Sequence, residues 1–157
     1  MSKKYNVYGI GNALVDIVTE VNDQFLKDHN IEKGFMTLVE EDDQTRISNA
    51  INMDKSNKQC GGSAANSVIA VSQFGGSSYY SCKVANDDLG NFYKEDMTGN
   101  GVDSNLQGQE LENGITGKCL VMTSEDASRT MNTYLGITAD YSRAEIKEEA
   151  LKDSERL

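Results

Sequence analysis

The sequence predicts an α/β fold, a mainly parallel sheet with helices on its faces. Three observations carry that expectation. Segments rich in Val, Ile and Tyr, such as 5–10 and 13–21, have the composition of strands. Segments with apolar residues at helical spacing, such as Ile47 and Ile51, lie between the strand-like runs. Glycines mark several of the changeovers, as at Gly99 and Gly101 after a helical stretch.

In chain order, 5–10 and 13–21 read as strands separated by a break at Gly9, Gly11 and Asn12. A short helix follows over 22–29, with Asn22 or Asp23 as its cap. Residues 35–40 read as a strand and 41–53 as a helix. MDKSNKQ, residues 53–59, is polar and reads as a loop. Helix 63–74, strand 77–85 and helix 88–98 come next. The second part is richer in strands, around 105–109, 115–123 and 129–135. Residues 138–153 read as a final helix with Ile146 and Ala150 turned inward. Segments 13–21, 35–40, 105–109 and 115–123 have connections too short for crossover helices.

Composition narrows the function. A length of 157 residues fits one domain, yet a hydrophobic content of 38% is thin for a self-sufficient α/β unit. It suits half of a larger sheet. A formal charge of −10 repels phosphate backbones, so nucleic acid is not an expected partner. Cys60, Cys82 and Cys119 are widely spaced and His29 is the single histidine, which argues against a zinc site and for buried reduced thiols. The start MSKKYNVYG has no signal-peptide core, and no apolar run approaches the ~20 residues of a membrane helix. A soluble, cytoplasmic protein with no membrane partner is expected.

The stretch richest in chemistry is GGSAANSVIAVSQFGG, residues 61–76. Gly61 and Gly62 let a ligand approach the backbone, and the first N–H groups of the following helix point outward. Asn66 in the first turn can both donate and accept. The combination suits a polyhydroxylated ligand. It also suits a turn before an ordinary amphipathic helix with a solvent-facing Asn. Asp16 sits between Val15 and Ile17 in a strand, where it either faces water or needs a partner such as a sugar hydroxyl. Arg129 either contacts a phosphoryl group or pairs with Glu125 or Asp126 at the surface. Gly9-Ile10-Gly11 after a strand hints at a dinucleotide turn, but Leu14 stands where a third glycine belongs and a strand follows instead of a helix.

Several segments together resemble one family. YNVYGIGNALVDIV (5–18), the Gly-Gly-x-x-x-Asn segment, KVANDDLGNFYKEDMTGNGVD (83–103), TGKCLVM (116–122) and RTMNTYLG (129–136) are similar, in order, to the amino-terminal half of the ribokinase-like (PfkB) carbohydrate and nucleoside kinases. The Asn-Ala-Leu-Val-Asp opening and the Arg-Thr-Met segment resemble the adenosine-kinase-like branch. The resemblance implies a partial ribokinase-like fold, with a small β-sheet lid built from about 13–21, 35–40, 105–123 and 129–135. It implies an ATP-dependent phosphotransferase acting on an alcohol of a sugar or nucleoside. It carries acceptor binding to Asn12, Asp16, Gly61, Gly62 and Asn66, and a phosphate contact to Arg129. The family's Gly-Ala-Gly-Asp segment, which holds the general base, does not occur here. This chain is therefore expected to be an amino-terminal half, inactive alone, with ATP and Mg2+ bound mainly by a missing carboxy-terminal half. Lids of this family pair between subunits in some members, which admits a homodimer. Lys118 stands where many relatives have an uncharged residue and puts ligand contacts from that strand in question. The alternatives are a non-catalytic sugar- or nucleoside-binding or regulatory module, and a half that pairs with another chain.

Overall fold

The computed structural model describes residues 3–52 and 56–157. The expected α/β architecture is present as two sheets. The first is fully parallel and consists of β1 (Tyr5–Ile10), β5 (Ser78–Ser81), β6 (Val102–Ser104) and β9 (Ser154–Arg156), in the order β6-β5-β1-β9. The second is mixed and consists of β2 (Leu14–Glu20), β3 (Met36–Leu38), β4 (Asn57–Gly61), β7 (Lys118–Thr123) and β8 (Arg129–Tyr134), in the order β3-β8-β7-β2-β4.

Helices cover both faces of the first sheet. Helices α3 (Ser63–Gln73) and α4 (Asp88–Gly99) lie on one side, where Tyr80, Tyr93, Val68 and Met97 join the main core. Helix α5 (Glu148–Lys152) packs on the other side against Tyr5, Tyr8 and Tyr79. Tyr8 and Tyr79 are register partners and stack with centroids 5.2 Å apart. Helices α1 (Asp23–Asp28) and α2 (Glu41–Ala50) belong to the second sheet and bury Leu26 and Ile47 in the same main core. Asn22 caps α1 by accepting from the Phe25 N–H at 2.8 Å, one of the two caps the sequence allowed.

Three readings need correction. Part of the polar segment 53–59 is a strand, since Asn57–Gly61 forms β4, while residues 53–55 lie outside the described residues. Pairing with β2 outweighs its poor strand propensity. Residues 105–109 are turns, and the strand lies earlier, at Val102–Ser104 in the first sheet. The buried Asn105 side chain explains the break, because it caps the end of β5 through the Cys82 N–H and carbonyl, both at 2.9 Å. Residues 138–153 do not form one helix. Two 3-10 turns, Gly136–Asp140 and Arg143–Glu145, precede α5. The Thr138 hydroxyl accepts from the Ala13 N–H, and Glu145 closes a capping box with Ser142 while pairing with Lys83, so tertiary contacts interrupt the helix. Strand β9 lies in a polar segment that carries no strand pattern, and only its pairing with β1 reveals it.

Candidate functional site

Strand β2 lies one strand in from the edge of the second sheet, between β7 and β4. Its residues alternate between faces. Val15, Ile17 and Thr19 are buried on the side of α2 and α4, and Leu14, Asp16 and Val18 take the opposite face. Direct cross-strand partners share a face. Asp16 is thus flanked by Gln59 of β4 and Cys119 of β7, with Thr133 of β8 beyond. The same register brings Met131, Met36 and Leu38 to this face, and Met36 and Leu38 are 56% and 59% exposed. A carboxylate therefore shares one open surface with large apolar side chains.

Asp16 is half-buried, yet no described residue donates a hydrogen bond to it. Burial raises its pKa above the ordinary carboxylate value, and the positive charge of Arg129 opposes that rise. A carboxylate partly removed from water and left without donors is an acceptor held ready for hydroxyl groups.

The Gly-Gly pair is explained by this carboxylate and by Asn12. A Cβ at Gly61 would collide with the Asp16 carboxyl group. Gly62 has φ +107°, and a Cβ there would collide with the Asn12 carbonyl oxygen. That carbonyl also accepts from the Tyr80 hydroxyl at 2.9 Å. Asn12, Asp16, Gly61 and Gly62 thus form one cluster where the two sheets meet. Asn66 lies in the first turn of α3, exposed, with its N–H donating to the Gly62 carbonyl at 2.9 Å. Arg129 is exposed at the start of β8, and Asp16 senses its charge without an ion pair. Among the described residues Arg129 has no carboxylate partner, and Asp126, one of its two alternatives, binds Lys33 at 2.9 Å instead.

Lys118 pairs with Val15 and Tyr134 in register, so it lies on the face opposite Asp16 and does not disturb this surface. Cys60 also belongs to that opposite face. It is buried, its N–H donates to Asp96 at 2.9 Å, and burial pushes its thiol well above the usual range. It is a structural thiol.

Sequence reasoning missed several contributors. Cys119, Met131 and the β3 residues join the open face only through register, which no local pattern reveals. Asp87 is another. Its carboxylate accepts from Gly90 N–H (2.8 Å), Thr116 N–H (2.8 Å) and Thr116 Oγ1 (2.6 Å). Thr116 Oγ1 accepts in turn from Ala85 N–H at 3.0 Å. This clamp sets the start of β7 and thereby puts Cys119 beside Asp16. The Asp-x-x-Gly turn and the Thr before β7 were visible, but their meeting was not.

Among the described residues no three His, Cys, Asp or Glu side chains converge on a metal position.

Against known proteins, residues 35–157 match the pfkB family carbohydrate kinases. Adenosine kinase from Sinorhizobium meliloti is 33% identical, with a TM-score of 0.86 over 96% of this chain and 45% of its own. A probable sugar kinase from Rhizobium etli is 30% identical, with a TM-score of 0.87 over 97% of this chain and 45% of its own. Adenosine kinase from Schistosoma mansoni, solved with adenosine, is 26% identical, with a TM-score of 0.80 over 98% of this chain and 46% of its own. The chain thus spans a little under half the length of these relatives. With the fold and the match over residues 35–157 in agreement, the chain belongs to the pfkB family of carbohydrate kinases.

Proposed function

We propose that the complete protein is an ATP-dependent kinase that phosphorylates an alcohol group of a sugar or nucleoside, and that this half supplies the acceptor site and a lid. The observation that carries the reading is the half-buried Asp16 carboxylate with no donor of its own, beside a glycine that leaves it room. Acceptor hydroxyls supply the missing hydrogen bonds, each to a charged group and so contributing about 1.5–3 kcal/mol. Asn12 and Asn66 bind the acceptor from the core side, and Gly61 and Gly62 carry the junction on which the second sheet closes as a lid. Arg129 reaches the transferred phosphoryl group when that lid shuts. ATP, Mg2+ and the general base belong to the part of the relatives' length that this chain does not span, so residues 1–157 alone show no turnover. The cytoplasm is the proposed location.

The exposed Met36 and Leu38 favour a nucleoside over a bare sugar, because they offer a base an apolar surface on the Asp16 face. The adenosine kinases among the similar structures support the same choice.

The test is acceptor affinity in the complete enzyme. Asp16→Asn is expected to raise KM for the acceptor by roughly 10- to 150-fold, the equivalent of one lost charge-assisted hydrogen bond. KM for ATP should hardly change, and the melting temperature should not fall. An unchanged acceptor KM would remove Asp16 from the site.

A further inference from the structure

Asn-Gly occurs twice in the chain, at Asn100-Gly101 and Asn113-Gly114. This dipeptide carries a reaction of its own. The glycine main-chain nitrogen can attack the carboxamide carbon of the residue before it, because no Cβ bars the close approach. The two pairs stand in opposite surroundings.

Asn100 caps the end of α4. Its Nδ2 donates to the Asp96 carbonyl at 2.8 Å, its Oδ1 accepts from Gln73 at 3.1 Å, and the Gly101 N–H donates to the Thr98 carbonyl at 2.9 Å. The carboxamide and the attacking nitrogen are both held. Asn113 and Gly114 are exposed in a bend before β7. No hydrogen bond among the described residues engages the Asn113 carboxamide or the Gly114 N–H. Only main-chain and side-chain rotation separates nitrogen from carbon, and groups tethered this closely react fast once they can meet. The fold also keeps a small residue in place, since a Cβ at Gly114 would lie 3.1 Å from Ile137 Cδ1.

The bend is short and tied at both ends to one segment. The Glu112 carbonyl accepts from the Asn86 N–H at 2.7 Å, and its carboxylate pairs with Lys83 at 3.2 Å. Thr116 binds Asp87 through its N–H and its hydroxyl. Asn113, Gly114 and Ile115 therefore form a strap between two anchors.

We propose that Asn113 is a self-modification site. The Gly114 nitrogen bonds to Asn113 Cγ, the Cγ–Nδ2 bond breaks, and the proton given up by Gly114 leaves with the amide as ammonia. Water then opens the cyclic imide at either carbonyl, giving an aspartyl or an isoaspartyl residue. The isoaspartyl form runs the main chain through Cβ. It adds an atom to the strap and a negative charge beside Glu112, and so loosens the clamp between Thr116 and Asp87. It also presents a free α-carboxylate, which suits a carboxyl methyltransferase that uses S-adenosylmethionine. None of this depends on the kinase reading.

The whole chain is aged at mildly alkaline pH, digested with trypsin and mapped by electron-transfer fragmentation, which resolves both sites within the single peptide 95–118. Asn113 should convert at least about tenfold faster than Asn100, the equivalent of one or two hydrogen bonds holding the slower pair. In the urea-unfolded chain that gap should close. An isoaspartyl methyltransferase should label the aged chain, and Asn113→Ser, a change at an exposed position, should remove most of the label. Amide exchange over 116–119 should rise on ageing in the wild type and stay constant in Asn113→Ser. Equal conversion of the two sites in the folded chain, or a gap that survives urea, overturns the site. Unchanged exchange over 116–119 in the converted chain overturns its effect on the clamp.

Discussion

Replacing Gly61 with alanine tests the geometry of the site with little dependence on its ligand. The new methyl would enter the space of the Asp16 carboxyl group. Gly61 pairs with Leu14 at the end of the β2–β4 ladder, so the backbone cannot retreat without loosening that pairing. Overpacking of this kind costs about 1–3 kcal/mol. For a chain of this size each kcal/mol moves Tm by roughly 2–4 °C, which gives a fall of about 2–12 °C. Asp16→Ala removes the obstructing atoms. In the double variant most of the Gly61→Ala cost should therefore vanish, leaving a coupling energy of about 1–3 kcal/mol in the direction of rescue. Urea unfolding of the four chains, followed by circular dichroism, measures it. Additive effects, within about 0.5 kcal/mol, would refute the contact between these two positions.

Gly62→Ala should destabilise by about 1–3 kcal/mol from its positive φ alone, with the Asn12 carbonyl adding to that, and Asp16→Ala should not rescue it. The same unfolding experiment separates the two glycines. Asp87→Ala strips the acceptor from Gly90 N–H and from both groups of Thr116, and should cost at least about 1–3 kcal/mol. Amide exchange should rise over 116–119, whereas exchange confined to α4 would deny the clamp its role at β7. Asp16→Asn should be more stable than the wild type at neutral pH. Folding raises the Asp16 pKa, so the folded state pays for the ionised form, and that penalty fades as pH falls through the Asp16 pKa and the wild type protonates. The stability difference should therefore shrink in acid; a difference that grew in acid would reverse the assigned shift.

Local signals in the chain agree with the structure where local chemistry decides it. Asn22 at the start of α1, the Ile47 and Ile51 stripe, and Gly99 at the end of α4 act through neighbours within a turn. What escaped depends on contacts distant in sequence. The segment NKQCG becomes β4 because β2 offers it a ladder, and the Tyr93 hydroxyl and the Asp96 carboxylate hold its end. SER becomes β9 only beside β1. The helical pattern of 138–153 yields to Thr138 bonding to Ala13 and to Glu145 pairing with Lys83, which is only 12% exposed at its side chain. The candidate site divides along the same line. Asp16, Gly61 and Gly62 could be singled out in the sequence, but that a glycine is required at 61 by the carboxylate of residue 16 is a fact of strand register.

The most direct test is a titration of the Asp16 carboxyl carbon by NMR, with and without adenosine. Without ligand it should titrate above an ordinary aspartate, as burial dictates. Bound hydroxyls donate to the ionised form, so adenosine should lower that pKa, and adenosine affinity should weaken as pH falls below it. An Asp16 titration unmoved by saturating adenosine would contradict the account.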